Sequence, residues 1–174
     1  MTYFYHYSSP LGGITLTSNG TRLSGLWFDG QKYSGDLLPK EYEERDLPVF
    51  RQSLHWLDLY FNGTAPDFTP PLLMDATPFR RAVWEILLTI PFGHTMTYGA
   101  IARQLAGQMG LSRMSAQAVG GAVGHNPISL IIPCHRVIGA RGSLTGYAGG
   151  IDRKRWLLTM EGVTLPCCSM PKKG

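Results

Sequence analysis

The sequence of 174 residues has few cysteines and no long apolar run. Its three cysteines are an odd number, and Cys167 and Cys168 are adjacent, which argues against a disulfide framework and favours a reducing compartment. No apolar run reaches the roughly 18 residues that a membrane-spanning helix needs. The first residues lack a basic region followed by an apolar segment, so no secretory signal is expected. These absences predict a cytoplasmic protein, or a nuclear one in a eukaryote, with no membrane partner.

Acidic residues are scarce in the second part of the chain. Residues 76–174 hold eleven lysines and arginines but only three acids, which are Glu85, Asp152 and Glu161, for a net charge of +8. Residues 1–75 hold five basic and nine acidic residues, for a net charge of −4. This asymmetry favours contact between the second part and a polyanion, of which nucleic acid is the leading candidate. The alternative is a basic domain that merely balances an acidic neighbour.

The first part of the chain has a β-rich pattern. Strands are predicted over 3–7, 13–18 and 23–28, and the Asn19-Gly20 pair between the last two is a two-residue hairpin signal. Residues 30–48 are polar and broken, and a helix follows over 47–63, with Leu54, Leu57 and Phe61 as its apolar stripe. Four prolines in residues 63–78 indicate a linker with a short strand. The pattern predicts domains over 1–75 and 76–165 and a tail over 166–174.

The second part has a helical pattern. Thr77 and Pro78 are typical of a helix start, and this helix is predicted to end at 91–93. Thr97 begins a second helix over 97–106, a joint follows over 107–114, and a third helix covers 115–124. A final helix is predicted over 152–161. The second and third helices have the arrangement of a helix-turn-helix.

The helix over 115–124 consists almost wholly of small residues. Its three glycines each weaken a helix by roughly 1 kcal/mol, so another interaction must offset this cost. Small side chains allow a backbone to approach another surface closely. That surface is either a neighbouring helix or a nucleic-acid groove, and the narrow minor groove of about 6 Å would suit a slim helix.

Cys134 and His135 are adjacent after an apolar run, in the stretch NPISLIIPCHRVIG over 126–139. A cysteine reacts as its thiolate, which a histidine base or a nearby cation favours, and Arg136 supplies positive charge. In an extended segment neighbouring side chains face opposite sides, so a bridging water or a bend at Pro133 is needed. Glu161 could orient the imidazole. The alternative is a buried cysteine that acts only as a small hydrophobe, and ligand spacing for a metal site is absent.

The motifs in residues 77–165 resemble those of the O6-alkylguanine-DNA alkyltransferases, the methylated-DNA–protein-cysteine methyltransferases. The resemblance is carried by PCHRVIG over 133–139, by TPFRRAVWEILLTIPFGHTMTYGAIA over 77–102, by AVGGAVGHNPIS over 118–129 and by LTGYAGGIDRKRWLLTMEG over 144–162. Residues 8–28 are similar to the looser N-terminal β domain of that family. The resemblance implies an α+β fold, with a small ribonuclease H-like β-sheet domain followed by a mostly helical, winged helix-turn-helix-like domain.

The resemblance also implies a function. The family flips an alkylated guanine out of duplex DNA and transfers the alkyl group to its own cysteine, once and irreversibly, without a cofactor. O4-alkylthymine is a further candidate substrate, and a monomer is expected. No metal is expected, because the cysteine cluster that binds zinc in some fused relatives is absent.

Site residues follow from the resemblance, position by position. The catalytic residues implied are Cys134, His135, Glu161, Tyr98 and Asn126, with Tyr98 as proton donor to the leaving guanine and Asn126 as the brace of the turn. The residues implied to line the base pocket are Val137, Tyr147, Ala148 and Gly149. The residues expected to contact DNA are Ala116, Gln117, Ala118, Gly121, Arg113 and Arg136.

Three other readings compete with this one. A lesion sensor without catalysis is disfavoured, because relatives of that kind replace the cysteine that is present here as Cys134. A thiol hydrolase would turn over repeatedly and would leave the basic helix-turn-helix unexplained. A plain transcription factor would make the Cys134 segment an accidental core strand.

Gln117 departs from the family pattern, which has an arginine on the recognition helix to fill the space of the flipped base. We predict that Gln117→Arg tightens binding to duplex DNA, because a longer cationic side chain adds charge and fills more of that space. Titration of the parent and the variant with the same labelled duplex measures the change. Unchanged or weaker binding would reject the prediction.

Overall fold

The structure of the protein is a computed structural model that describes residues 1–31, 41–144 and 146–165. These residues fall into two compact units. The first contains residues 1–75 together with Pro127–Ile131, and the second contains residues 76–126 and the chain from Ile132 onward. The chain therefore leaves the first unit after Asp75, but the segment 127–131 belongs to the first unit and not to the second. The predicted tail, with Cys167 and Cys168, lies outside the described residues.

The first unit is built on a four-stranded sheet. Its strands are β1 (Thr2–Ser9), β2 (Gly12–Ser18), β3 (Leu23–Phe28) and β4 (Tyr42–Glu44), in the order β3-β2-β1-β4. The first three pair antiparallel, in agreement with the hairpin signal between β2 and β3, whereas β4 pairs parallel with β1. β4 falls in the region predicted to be irregular, because its three residues are exposed and show no apolar alternation.

The hairpin between β2 and β3 is longer than predicted. The strands end at Ser18 and Leu23, so four residues connect them instead of two. The Asn19 side chain shapes this turn, since its Oδ1 accepts hydrogen bonds from the backbone N–H groups of Thr21 and Arg22 at 3.1 and 2.9 Å. An asparagine that caps its own turn in this way explains why the Asn-Gly signal marks the right place but the wrong length.

Helix α1 (Pro48–Phe61) supplies the rest of the core of the first unit. Its buried face is formed by Val49, Phe50, Ser53, Trp56, Leu57 and Tyr60. The predicted stripe is therefore wrong except at Leu57, because Leu54 and Phe61 are only partly buried. The aromatic residues Trp56 and Tyr60 mark the buried face of α1 better than the predicted stripe does, and their rings stack with centroids 5.1 Å apart.

The outer edge of β3 is covered by two short segments of the first unit. The Leu23 N–H donates to the Pro71 carbonyl, and the Leu23 carbonyl accepts from the Leu73 N–H. The short strand predicted in the linker is therefore present only as a single β-bridge between Leu23 and Leu72. Leu26 pairs in the same way with Pro127 and Ser129. These bonds satisfy backbone N–H and C=O groups at the edge of β3, which could otherwise pair with a strand of another molecule.

The second unit is mostly helical. Its helices are α2 (Pro78–Leu88), α3 (Tyr98–Met109), α4 (Ala116–Gly124) and α5 (Ile151–Met160), and a short parallel pair joins β5 (Met96–Thr97) to β6 (Val137–Ile138). The predicted caps are confirmed, because Thr77 and Thr97 accept hydrogen bonds from Arg80 and Ala100. No helix in the described ranges is long and apolar enough to cross a membrane.

Helices α3 and α4 form the helix-turn-helix. Helix α3 runs three residues beyond its predicted end, because the chain reverses only at Gly110, whose φ of +68° suits glycine. Val119, Ala122 and Val123 form the buried face of α4. Trp84 of α2 donates its indole N–H to the Ala122 carbonyl at 2.9 Å, which ties the two helices together.

Helix α4 has weak internal propensity and should depend on its cap. The Ser115 hydroxyl accepts from the Ala118 N–H at 3.2 Å, so Ser115→Ala should destabilise the helix by about 1 kcal/mol and Ser115→Asn should not. Hydrogen exchange of the Val119 and Ala122 amides measures this. Ser112→Ala, in the connection before α4, is the matched control and should leave the same amides unchanged. Equal protection in the Ser115→Ala variant would contradict the assigned cap.

Candidate active site

Cys134 lies in a tight turn, not in the extended segment predicted. The Cys134 N–H donates to the Ile132 carbonyl at 2.8 Å across Pro133, whose φ and ψ are −81° and 67°, and a 3₁₀ turn then covers Cys134–Arg136. The backbone values at Pro133 are those of an inverse γ-turn. The bend at Pro133 that the chemistry required is therefore present. Cys134, His135 and Arg136 are all buried.

A second reversal precedes this turn. Leu130 has a φ of +71°, and the Ile131 N–H donates to the Ser129 carbonyl at 2.8 Å. A leucine in this conformation is strained by about 1–3 kcal/mol, and its full burial helps to hold it there. The apolar residues before Cys134 therefore do not form the predicted strand.

Glu161 gathers three donors around one buried carboxylate. Its Oε2 accepts from His135 Nε2 at 2.5 Å, and its Oε1 accepts from Arg136 Nε at 2.8 Å and from the Gly93 N–H at 2.9 Å. The side chain has no solvent exposure. A carboxylate can be buried at acceptable cost only with partners of this kind.

These contacts keep Glu161 ionised. Burial alone would raise the pKa of Glu161, but hydrogen bonds and electrostatic interactions with His135 and Arg136 outweigh it and lower that pKa to about 2. Burial lowers the pKa of His135 despite the opposing effect of Glu161. At neutral pH the pair is therefore a carboxylate and a neutral imidazole. The shared proton then lies on Nε2, so Nδ1 carries the lone pair that can accept a proton.

Arg136 is predicted to contact DNA, but its guanidinium is turned inward and the residue is buried. Besides Glu161, it donates from Nη1 to the Ile90 carbonyl at 2.7 Å, and it lies over the Phe92 ring. A guanidinium paired with a buried carboxylate is not available to a phosphate. The residue instead fixes the charge state of Glu161.

Gly93 is a site residue that the sequence pattern does not reveal. The pattern Pro91-Phe92-Gly93 predicts only the end of a helix. Gly93 has a φ of +81°, and a Cβ at this position would lie 3.0 Å from the Glu161 carbonyl oxygen. Glycine is therefore needed both for the backbone conformation and for the close approach that lets its N–H reach Glu161.

Asn126 lies where it can brace the turn. Its Nδ2 donates to the Ile132 carbonyl at 2.8 Å, and that oxygen also accepts from the Cys134 N–H. The asparagine side chain is buried. The end of α4 is thus fixed to the first residue of the turn that carries the cysteine.

Tyr98 is brought beside the cysteine by the β5–β6 pair. Thr97 pairs with Ile138, so α3 begins with Tyr98 next to the Cys134–Arg136 turn. Burial, together with the negative charge of a Cys134 thiolate, raises the pKa of Tyr98 to about 12. Its phenol therefore stays protonated at neutral pH and can act as a hydrogen-bond and proton donor.

Of the predicted pocket residues, Val137 directly follows the same turn, and the charge of Cys134 acts on Tyr147. Val137 and Gly149 are buried, and Ala148 is partly exposed. The Tyr147 hydroxyl is buried and has no hydrogen-bond partner among the described residues. Burial and the charge of Cys134 raise the pKa of Tyr147. Since a buried hydroxyl normally finds a partner, this one suits a polar ligand group.

The predicted DNA-contacting residues of α4 form one exposed face. Ala116, Gln117, Ala118 and Gly121 are exposed, and a Cβ added at Gly121 or Gly124 would meet no atom of the described chain within 4 Å. A neighbouring helix therefore does not explain these two glycines, which leaves close approach to an external surface as the alternative. Arg113 is also exposed and, with Arg103, lines an open groove of about 430 Å³ between α3 and the start of α4.

Two sequence families match this chain and together cover most of it. The DNA-binding domain of 6-O-methylguanine DNA methyltransferase matches residues 78–163, and its ribonuclease-like domain matches residues 2–74. Among the described residues, no group of three His, Cys, Asp or Glu side chains could hold a metal ion.

Relatives match over nearly the whole length. A methylated-DNA–protein-cysteine methyltransferase of Mycobacterium bovis is 44% identical over 161 residues, which is 92% of this chain and 93% of the relative. That of Haemophilus influenzae is 38% identical over 160 residues, covering 91% and 86% of the two chains. The crystal structure of Mycobacterium tuberculosis OGT in complex with DNA matches with a TM-score of 0.80 and 42% identity, covering 91% of this chain and 92% of that one.

Fold and site together define a DNA-repair class of protein, in which a helix-turn-helix unit carries a buried cysteine beside a histidine–glutamate pair. The chain belongs to the 6-O-methylguanine DNA methyltransferase family, whose members are the methylated-DNA–protein-cysteine methyltransferases.

The stability of the fold should depend on the charge of Glu161. Because its pKa is lower in the folded chain than the ordinary 4.5, the carboxylate stabilises the fold above about pH 4.5, and this contribution is lost as the pH falls towards about 2. Glu161→Gln should lower the free energy of unfolding by about 3–5 kcal/mol at neutral pH, because it leaves Arg136 buried without an anion. Urea unfolding at a series of pH values should show this gap closing below about pH 4.5.

Asp152→Asn is the matched control for this prediction. Asp152 is a fully exposed acid at the start of α5, so its variant should unfold like the parent at every pH. A gap between the parent and Glu161→Gln that stays constant down to pH 3 would contradict the assignment of a buried, ionised carboxylate.

Proposed function

We propose that Cys134 accepts an alkyl group from O6 of guanine in duplex DNA, in a single turnover that repairs the base. The observation that carries this proposal is the buried arrangement of Cys134, His135 and Glu161 within a helix-turn-helix unit. Membership of the family and the match to a relative crystallised with DNA support it.

The first step prepares the thiolate. His135 is neutral and donates from Nε2 to Glu161, so its Nδ1 can take the proton of Cys134, through one water molecule. The Glu161 carboxylate stabilises the imidazolium that forms. Arg136 and Gly93 hold that carboxylate in place and keep it ionised.

The second step is the transfer itself. The sulfur attacks the alkyl carbon in line with the bond to O6, so that a carbon–sulfur bond forms while the carbon–oxygen bond breaks and its electron pair passes to the guanine. Tyr98 donates its proton to the guanine ring as it leaves. The products are unmodified guanine and a thioether at Cys134. No group at the site can cleave that thioether, so each chain reacts once.

The base must leave the duplex to reach a buried thiol. The exposed face of α4, with Ala116, Gln117, Ala118 and Gly121, enters the minor groove, where its small side chains allow close approach. Gln117 hydrogen-bonds the orphaned partner base. Arg113 contacts the phosphate backbone.

The flipped guanine occupies the pocket formed by Val137, Tyr147, Ala148 and Gly149. The Tyr147 hydroxyl gives a polar edge of the base a partner. O4-alkylthymine presents an alkyl group in a similar position and is the second substrate of the proposal. The protein acts as a monomer in the cytoplasm, or in the nucleus of a eukaryote.

Transfer of a labelled methyl group tests the function directly. The full chain is incubated with excess duplex carrying O6-methylguanine labelled in the methyl group, and the label is located by peptide mass spectrometry. We expect one label per chain, on Cys134, with no further transfer. A variant with Cys167→Ser and Cys168→Ser should reach the same ceiling, since neither thiol belongs to the proposed site.

Two outcomes would reject the proposal in different ways. Repeated release of label into solution would indicate a hydrolase that uses Cys134 as a recycled nucleophile. Tight binding to the lesion without transfer would indicate a sensor of damaged DNA.

A further inference from the structure

A buried lysine lies beside the active-site turn and has no part in the mechanism above. Lys154 is on α5, and its relative solvent exposure is 0%, as low as that of its helix neighbours Leu157 and Leu158. Lysine is almost never fully buried unless its charge is matched, because the cost of removing an ammonium group from water is several kcal/mol. A specific interaction must therefore offset this cost.

The surroundings of Lys154 identify that interaction. Helix α5 packs against the Cys134–Arg136 turn. The charge on Cys134 acts on Lys154, and the charge on Lys154 in turn acts on His135. The other charged or titratable groups of the site are the ionised Glu161, Arg136, and the tyrosines Tyr98 and Tyr147, whose pKa values are raised. Arg153 lies on α5 just after the pocket loop and donates to the Gly149 carbonyl.

Both oxygens of Glu161 accept hydrogen bonds from other groups of the site. His135, Arg136 and Gly93 occupy both of its oxygens. The thiol of Cys134 has a negative form, and its charge bears on Lys154. Burial lowers the pKa of Lys154 to about 8, while the Cys134 charge raises it. Lys154 is therefore largely protonated at neutral pH, and its positive charge interacts with the charge on the Cys134 sulfur.

We propose that Lys154 is the buried counter-ion that favours the thiolate form of Cys134, and so determines how much reactive sulfur is present at neutral pH. This inference rests on the proposed function, in which that thiolate is the nucleophile. Lys154 acts through Cys134 and is a positioning residue. The relay of His135 and Glu161 removes the thiol proton, and the ammonium group stabilises the charge that is left behind.

The pH dependence of thiol alkylation tests this proposal. In a background of Cys167→Ser and Cys168→Ser, which leaves Cys134 as the single thiol, the rate of reaction with iodoacetamide is measured from about pH 5 to about pH 10. Lys154→Met, which keeps length and burial but removes the charge, should move the midpoint upward by at least about one pH unit. The rate at pH 7 should then fall about tenfold, while the rates converge at high pH.

Lys154→Arg is the matched control, because it keeps the charge. Its midpoint should stay close to that of the parent, even if its packing lowers the melting temperature. A purely structural role would lower the rate of Lys154→Met at every pH, or its melting temperature, without moving the midpoint. An unmoved midpoint in a folded Lys154→Met variant would overturn the proposal.

A measurement on the unsubstituted lysine covers the case in which Lys154→Met does not fold. The pKa of Lys154 is followed by NMR of lysine labelled with ¹³C at Cε, and the signal is assigned by its loss in Lys154→Arg. Alkylation of Cys134 by iodoacetamide replaces the thiolate with a neutral thioether, so the pKa of Lys154 should fall. No change on alkylation would overturn the proposal. Neither readout uses DNA, so failure here is distinct from failure of alkyl transfer.

Discussion

The Glu161 carboxylate binds three donors from two other parts of the second unit, and the rest of the active site depends on this interaction. It joins the end of α5 to the turn after α2, through Gly93, and to the 3₁₀ turn, through His135 and Arg136. Because the carboxylate is ionised and His135 is neutral, one proton has a defined position on Nε2. The same bonds that hold the fold together therefore prepare the imidazole as a base.

Positive charge in the second unit serves two separate purposes. Arg136 and Lys154 point inward and are buried, and their charges act on Glu161 and Cys134. Arg103 and Arg113 are exposed beside the helix-turn-helix, where a phosphate backbone can reach them. A count of charges along the chain does not distinguish the buried cations from the exposed ones, although the two groups have different electrostatic effects. Buried cations tune chemistry at one sulfur, whereas exposed cations attract a polymer of any sequence.

Local signals in the sequence predicted the elements well where local physics controls them. Thr77 and Thr97 are hydroxyl caps of the kind that begin helices, and each accepts the expected hydrogen bond. Ser115 accepts a bond of the same kind at the start of α4. The turn at Cys134 was not predictable from alternation, because two γ-turns interrupt the apolar run. The inward orientation of Arg136 depends on Glu161, 25 residues away, and on the Ile90 carbonyl. Contacts between residues that are distant in the sequence do not produce a periodic pattern in it. The fold class and the candidate residues could therefore be predicted, but the geometry between those residues could not.

The position of the proton between His135 and Glu161 is the most direct measure of this account. Protein labelled with ¹⁵N in its histidines can be observed by NMR at neutral pH. The signal of His135 is identified among the five histidines by its loss in the His135→Asn variant. The account predicts a neutral imidazole with its proton on Nε2, and a pKa below the ordinary value of about 6.5. An imidazolium at neutral pH, or a neutral ring with its proton on Nδ1, would contradict it.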